Sequence, residues 1–262
     1  MWELKKLSDA EYFSLGSLDI NNPKKIVVNA SLLKDVFNRG LYEVLVEPPC
    51  HDETTLKNFK TGSALHKYIL ENSDFFNDYH FGEYNPAKTT TELNEKDEEF
   101  LKAIRRECKL KYPELIDEKG AEVTILGEID GIKVKAKMDK FVIKGSRAYI
   151  YDLKSTSLPL AKVKKTSEGR AWEIARQINE YHYDLQMFFY SLLAEEWLKS
   201  QNLFLEIIPI LAFASKADYK VRQFMLGAET IAKGEEKFNY SFGQIRNFVT
   251  YGASAVNKFE IV

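Results

Sequence analysis

The stretch that decides the fold is IKVKAKMDKFVIKGSRAYIYDLKST, residues 132–156. Ile132, Val134, Ala136 and Met138 alternate with Lys133, Lys135, Lys137 and Asp139. A period of two is the mark of a half-buried strand. Gly145-Ser146 marks a turn, and Tyr149–Lys154 reads as a second strand. Upstream, Glu122–Leu126 is strand-like, and Asp130-Gly131 is a hairpin signal because both residues tolerate positive φ. Three consecutive strands therefore form a meander.

Working outward, a mobile connection is expected over 155–169. It is followed by one long helix from about Trp172 to Lys199, with Ile178, Leu185, Phe188, Phe189, Leu192 and Leu193 on its apolar face. Phe204–Ala214 and Tyr219–Met225 read as two further strands, and 228–251 as a closing helix. On the other side, 31–46 reads as one helix, with Asn29 or Ser31 as its cap and Pro48-Pro49 as its stop. A second helix is expected over 62–70, loop over 77–92, and a helix capped by Asn94 that ends before Pro113. Glu95, Asp97 and Glu98 in its first turn suit the helix dipole. The chain thus reads as one domain, 1–262. Residues 1–118 are mainly helical, and 119–262 form a β-β-β-α-β-β-α core. The fold class is α/β, with a central mixed sheet flanked by helices.

The chain has 262 residues, 45% of them hydrophobic, enough for a sizeable core. No apolar run reaches the roughly 20 residues of a membrane span, and MWELKKLSDAEYF has no signal core, so a cytoplasmic protein without membrane contacts is expected. Two cysteines, Cys50 and Cys108, are too few for a disulfide framework, a structural zinc site or an iron–sulfur cluster. The net charge is −2, yet residues 133–165 carry nine Lys and one Arg against Asp139 and Asp152. Such a local basic stretch fits either a phosphate-binding site or a solvated lysine face.

Asp152 and Lys154 are two apart on a strand and share a face, while Leu153 points away. The flanks of Asp152 (Tyr149, Ile150, Tyr151 and Leu153) are apolar, so an inner strand carries charges there, which is costly unless they are used. A hairpin would bring Asp139 beside Asp152. Two carboxylates and an ammonium suit a hard divalent cation and a phosphodiester: the cation activates water and neutralises phosphate charge, and the lysine positions the nucleophile. Glu122 offers a further carboxylate, with Glu128 as a competing choice.

These residues resemble a known superfamily. GIKVKAKMD ending at Asp139, YIYDLKST around Asp152 and Lys154, and YHYDLQMFFY carrying Gln186 and Tyr190 are similar to the PD-(D/E)XK nucleases. The Gln-x-x-x-Tyr helix, together with TGSALHKYILE around His66, resembles the branch of RecE-type and phage lambda-type exonucleases. The matching order spans roughly residues 30–215. The resemblance implies a restriction-endonuclease-like core. It implies Asp139, Asp152, His66 and the Leu153 carbonyl around Mg²⁺, with Mn²⁺ as a substitute. Lys154 would be the catalytic lysine, Glu122 the upstream acid, and Gln186 and Tyr190 would support the site or the DNA strand. It further implies a metal-dependent exonuclease acting on linear duplex DNA for recombination in a bacterial or phage-infected cell, a ring-shaped homo-oligomer, and a single-strand annealing protein as partner. The expected chain lacks the long N-terminal extension that RecE-type proteins can carry. Alternatives are a structure-specific or nicking endonuclease, or an inactive DNA-binding module. Lys162, Lys164, Lys165 and Arg170, which follow the Asp-Leu-Lys strand, are expected to contact phosphates. Asn179 and His182 are expected on solvent.

Overall fold

The computed structural model describes residues 1–16, 22–47, 53–71, 80–81, 92–161 and 168–252. Its elements are β1 (Glu3–Lys6), α1 (Asp9–Ser14), β2 (Val27–Val28), α2 (Ala30–Arg39), α3 (Leu41–Val46), α4 (Glu53–His66), β3 (His80–Phe81), β4 (Glu92–Leu93) and α5 (Glu95–Lys111). They continue with β5 (Ala121–Ile129), β6 (Ile132–Lys144), β7 (Arg147–Thr156), α6 (Glu168–Glu180), α7 (Tyr183–Ser200), β8 (Glu206–Ser215), β9 (Val221–Met225) and α8 (Ala228–Tyr251).

Among the described residues, seven strands form one mixed sheet in the order β1-β5-β6-β7-β8-β9, with the short β2 laid parallel to β6. The β5–β6 hairpin turns at Asp130 and Gly131, both at positive φ (51° and 79°). β7 and β8 run parallel, joined by the α6–α7 crossover, and β9 returns antiparallel. The expected mixed sheet with flanking helices is therefore present, and the first 118 residues contribute β1 and β2 to it besides their helices.

Alternation along β7 and β8 divides the apolar residues between two cores. Ala148, Ile150, Leu211 and Phe213 face α2, α3, α6, α7 and α8. Tyr151, Leu153, Ile210, Ala212 and Ala214 face α4 and α5. The strand is thus covered on both sides, which explains its continuous apolar character.

Several sequence readings change. The 31–46 helix is two helices, because Gly40 (φ 77°) stops α2; Asn29 supplies the cap, its Oδ1 accepting from Leu32 N at 2.8 Å. The helix expected over 62–70 begins at Glu53 and widens to a π turn over Lys67–Glu71, immediately after His66. The long helix breaks at His182, which is left-handed (φ 50°, ψ 41°) without glycine or proline. The lysine face of β6 is solvated at Lys133 but not along its length. Lys135 is buried and donates to the Tyr12 and Leu15 carbonyls at 2.7 and 2.8 Å, and buried Lys140 reaches the Asp117 carbonyl. In both cases carbonyls of a neighbouring segment satisfy the ammonium. Most of the expected loop over 77–92 lies outside the described residues; His80–Phe81 pairs in parallel with Glu92–Leu93.

α8 approaches α7 closely enough that a Cβ on Gly234 would sit 2.3 Å from the Asp184 carbonyl oxygen, whereas a Cβ on Gly243 of the same helix meets nothing within 4 Å. Gly234→Ala is expected to destabilise the protein by about 1–3 kcal/mol through overpacking. Gly243→Ala should be neutral or stabilising by up to about 1 kcal/mol. Chemical denaturation of the two variants checks this; equal stabilities would remove the close approach.

Candidate active site

The alternation of the meander slips at one place. Val123 and Met138 lie in the α7-side core, and so does Phe141, but two residues, Asp139 and Lys140, separate Met138 from Phe141. On β5, Ala121 and Val123 face opposite cores although they are two apart, and Glu122 between them has φ 53°. The β6–β7 ladder ends at Lys140 and Tyr151. An irregularity of this kind re-aims side chains, and here it brings the carboxylates of Glu122 and Asp139 together. Asp139 Oδ2 accepts from the Leu153 amide at 2.5 Å, and Asp139 Oδ1 lies 3.3 Å from His66 Nδ1.

His66 arrives from the other layer. α4 is seated by buried Ala64 and Leu65, and buried Thr61 donates to Asp97 Oδ1 at 3.2 Å in the capping box of α5. His66 Nε2 meets the Leu153 carbonyl oxygen at 2.7 Å. His66, Glu122 and Asp139 each offer a ligand atom within 4.8 Å of the others. One imidazole nitrogen and two carboxylate oxygens, beside a backbone carbonyl, suit a divalent cation that prefers oxygen and tolerates nitrogen.

A second group of contacts surrounds Asp152, which is 1% exposed. Lys154 Nζ lies 2.7 Å from its Oδ2, and Gln186 Nε2 donates to its Oδ1 at 2.6 Å and to the Tyr190 hydroxyl at 3.1 Å. Gln186 and Tyr190 are four apart on α7 and share a face. Lys34 of α2 completes the set, donating to Gln186 Oε1 at 2.5 Å.

A family profile described as a PDDEXK-like domain of unknown function (DUF3799) matches residues 49–253. The chain belongs to this PDDEXK-like family. Among solved structures it is similar to that of an exonuclease candidate from Eubacterium rectale, with a TM-score of 0.59 and 19% identity over 94% of this chain and 87% of that one. A structure of SSO0001 overlaps 82% of this chain and 85% of its own at 14% identity, with a TM-score of only 0.28. No curated protein matches the sequence. Among the described residues, no helix is long and apolar enough to cross a membrane.

The PDDEXK-like fold thus assembles His66, Glu122, Asp139, Asp152, Leu153, Lys154, Gln186 and Tyr190 in one neighbourhood. Glu128, the competing acid, is exposed and pairs across the hairpin with Lys133. Lys162, Lys164 and Lys165 lie outside the described residues; Arg170 is in the first turn of α6, its side chain outside the described set. Asn179 is exposed, as expected, while His182 is half-buried, and both have side-chain partners. Lys237 of α8 donates to Asn179 Oδ1 at 2.9 Å and approaches His182 Nδ1 at 3.2 Å, and His182 Nε2 meets Asn38 Oδ1 at 2.6 Å. Sequence reading missed Lys34, which belongs to no motif, and Lys137, whose Nζ lies 2.8 Å from Glu122 and 2.6 Å from Asp9. The one available signal for Lys137 was its place two residues before Asp139 on the same strand.

Charge in this neighbourhood is tightly balanced. Burial opposes charging of His66, but the Asp139 carboxylate outweighs it and lifts the imidazole to about 9. Burial also works against the charged form of Asp139, yet His66 holds its carboxyl below the usual range. Burial raises Asp152, only partly offset by Lys154, and raises Glu122, partly offset by Lys137. Burial and the like charge of Lys154 pull Lys34 down to about 7.

Two titrations of opposite sign therefore overlap. The raised His66 value contributes stability that is present below about 6.5 and lost as pH rises through about 9. The lowered Lys34 value acts in the other direction: the unfolded chain holds the extra proton between about 7 and 10.5, so stability rises with pH there. The wild-type curve should be nearly flat where they cancel. In His66→Gln, stability should rise with pH between about 7 and 9; in Lys34→Met, it should fall between about 6.5 and 9. Denaturation in chelator across pH 6–10 reads both slopes, and parallel curves for the three proteins would refute the assignment.

Proposed function

We propose that residues 1–262 form one nuclease domain, a metal-dependent deoxyribonuclease that hydrolyses phosphodiester bonds. The observation that carries this reading is the convergence, at the slip in the sheet, of Asp139, Asp152 and Lys154 with His66 and Glu122. His66, Glu122, Asp139, Asp152 and the Leu153 carbonyl are the residues that would hold Mg²⁺ or Mn²⁺. When bound, such a cation neutralises phosphate charge and lowers the pKa of water.

The side chains supply the rest. Both nitrogens of His66 face acceptors, so a protonated imidazole is held between Asp139 and the Leu153 carbonyl. A cation held at this histidine would compete with that proton below about pH 9, so affinity for it would rise with pH up to that point. Lys154 is held by Asp152 and kept charged, its value raised by Asp152 and Asp139 against the effect of burial. It is placed to orient the attacking water and to stabilise charge on the phosphate. Gln186 and Tyr190 fix Asp152 from behind. Lys162, Lys164, Lys165 and Arg170 are assigned to phosphate contacts because they follow the Asp-Leu-Lys strand in sequence.

Within the superfamily we favour the RecE-type branch and an exonuclease that resects linear duplex DNA for recombination. The Gln186/Tyr190 and His66 motifs support this, as does the exonuclease description carried by the Eubacterium rectale protein. A ring-shaped homo-oligomer and a single-strand annealing partner follow from the same analogy.

The test uses linear and circular duplex DNA, end-labelled on either strand end, with Mg²⁺, Mn²⁺ or EDTA. Wild type should remove label from linear DNA only with metal. Lys154→Ala should lower the rate by about 100-fold or more, and Asp139→Asn should abolish metal-dependent activity. Cleavage of the circle would replace the exonuclease by an endonuclease. A wild type that binds DNA but cleaves none of these substrates would leave a binding module.

A further inference from the structure

The helix break at His182 has no glycine or proline to cause it, yet it arranges two aromatic rings in a way a continuous helix forbids. Residues two apart on an α-helix point roughly 200° apart. Tyr181 and Tyr183 instead stack, with ring centroids 5.7 Å apart and planes at 28°. The left-handed conformation of His182 that permits this is held from both sides, by Asn38 on Nε2 and Lys237 on Nδ1. Strained backbone of this kind persists where its surroundings over-determine it, and it concentrates at functional sites.

The stacked pair borders a cleft of about 680 Å³ that also takes in Gly62, His66, Lys154 and Lys216. The inner ring, Tyr183, lies 5.3 Å from Lys154 Nζ, and the outer ring, Tyr181, is 56% exposed. A large exposed aromatic beside a cationic cleft is the composition of a surface on which unpaired bases stack while the backbone follows the positive charge. The cleft volume lies within the range of small-ligand sites, about 300–1,000 Å³, on the scale of a nucleotide or two and not of a duplex.

We propose that Tyr181, backed by Tyr183, is a stacking platform for an unpaired base of the strand whose phosphate lies at Lys154. The substrate therefore enters the cleft as a single strand, either a single-stranded DNA or the separated end of a duplex. This rests on the nuclease reading for the position of the phosphate, but not for the stacking itself.

The experiment uses single-stranded oligodeoxynucleotides, each with one 2-aminopurine, scanned from both ends, in EDTA so that no strand is cut. At one position, binding to wild type and to Tyr181→Phe should quench the fluorescence. Tyr181→Ala should leave it unquenched and weaken binding about 5- to 100-fold. Removing that base from the oligonucleotide should weaken wild type to the level of Tyr181→Ala and cost the variant nothing more. Tyr181 is exposed, and matching circular dichroism for the two variants confirms that the fold is kept. Quenching that depends on Tyr181 in a protein that cuts no DNA with any divalent cation would uphold the platform and remove the nuclease reading. Cutting by Tyr181→Ala with unchanged affinity, KM and quenching would remove the platform and leave the nuclease reading in place. Failure of wild type to bind any single-stranded oligonucleotide would also overturn the platform.

Discussion

The site depends on a hydrogen bond in which a side chain takes the place of a strand. The β6–β7 ladder stops at Lys140 and Tyr151, and two residues farther along β7 the Leu153 amide is taken by the Asp139 carboxylate. A buried amide must find an acceptor, and using a carboxylate for it fixes Asp139 against β7 while leaving its other oxygen to face His66. The same slip turns Glu122 toward Asp139 through a left-handed backbone. One local departure from regular pairing thus converts two ordinary strand positions into a cluster of carboxylates. It is buried in a sheet whose flanking cores keep those carboxylates from drifting to solvent.

The arrangement has a division of labour written in its partners. Asp139 and Glu122 face the histidine of α4, contributed by the layer on one side of the sheet. Asp152 faces Gln186, Tyr190 and, through Gln186, Lys34, contributed by the helices on the other. Leu153 lies between: its side chain packs in the α4–α5 core, its amide serves Asp139 and its carbonyl serves His66. The β7 strand therefore contributes to both halves through the three consecutive residues Asp152, Leu153 and Lys154.

Much of this was legible in the chain. The turns at Asp130-Gly131 and Gly145, the Asp-x-Lys pair on one strand face and the i,i+4 spacing of Gln186 and Tyr190 are local features, set by backbone preference and periodicity. What escaped the sequence depends on contacts across long separations. The solvated lysine stripe holds at Lys133 but fails at Lys135 and Lys140, because α1 and the segment near Asp117 offer them carbonyls. The continuous helix over 172–199 fails because Asn38 and Lys237, from α2 and α8, hold His182 in a conformation that no residue near it announces. Lys34 is 152 positions away from the glutamine it contacts, and nothing in its own surroundings distinguishes it from any other helix lysine.

Charge placement explains why these long-range partners matter. Four acidic or amide groups packed with little water around them would be expensive if each had to be balanced alone. They are balanced in a chain instead: Lys137 on Glu122, His66 on Asp139, Lys154 on Asp152, with Lys34 behind Gln186. Every cation in that chain comes from a different place in the fold or a different strand position, so the cluster exists only when β5, β6, β7, α2, α4 and α7 are all in place. Two of those cations are shifted toward each other, His66 up to about 9 and Lys34 down to about 7. They are the members whose protons are most readily lost, whereas Asp152 and Asp139 raise Lys154 against burial and keep it charged. Burial and the carboxylates around them therefore set the two kinds of cation apart: His66 and Lys34 titrate within reach of physiological pH, and Lys154 stays protonated.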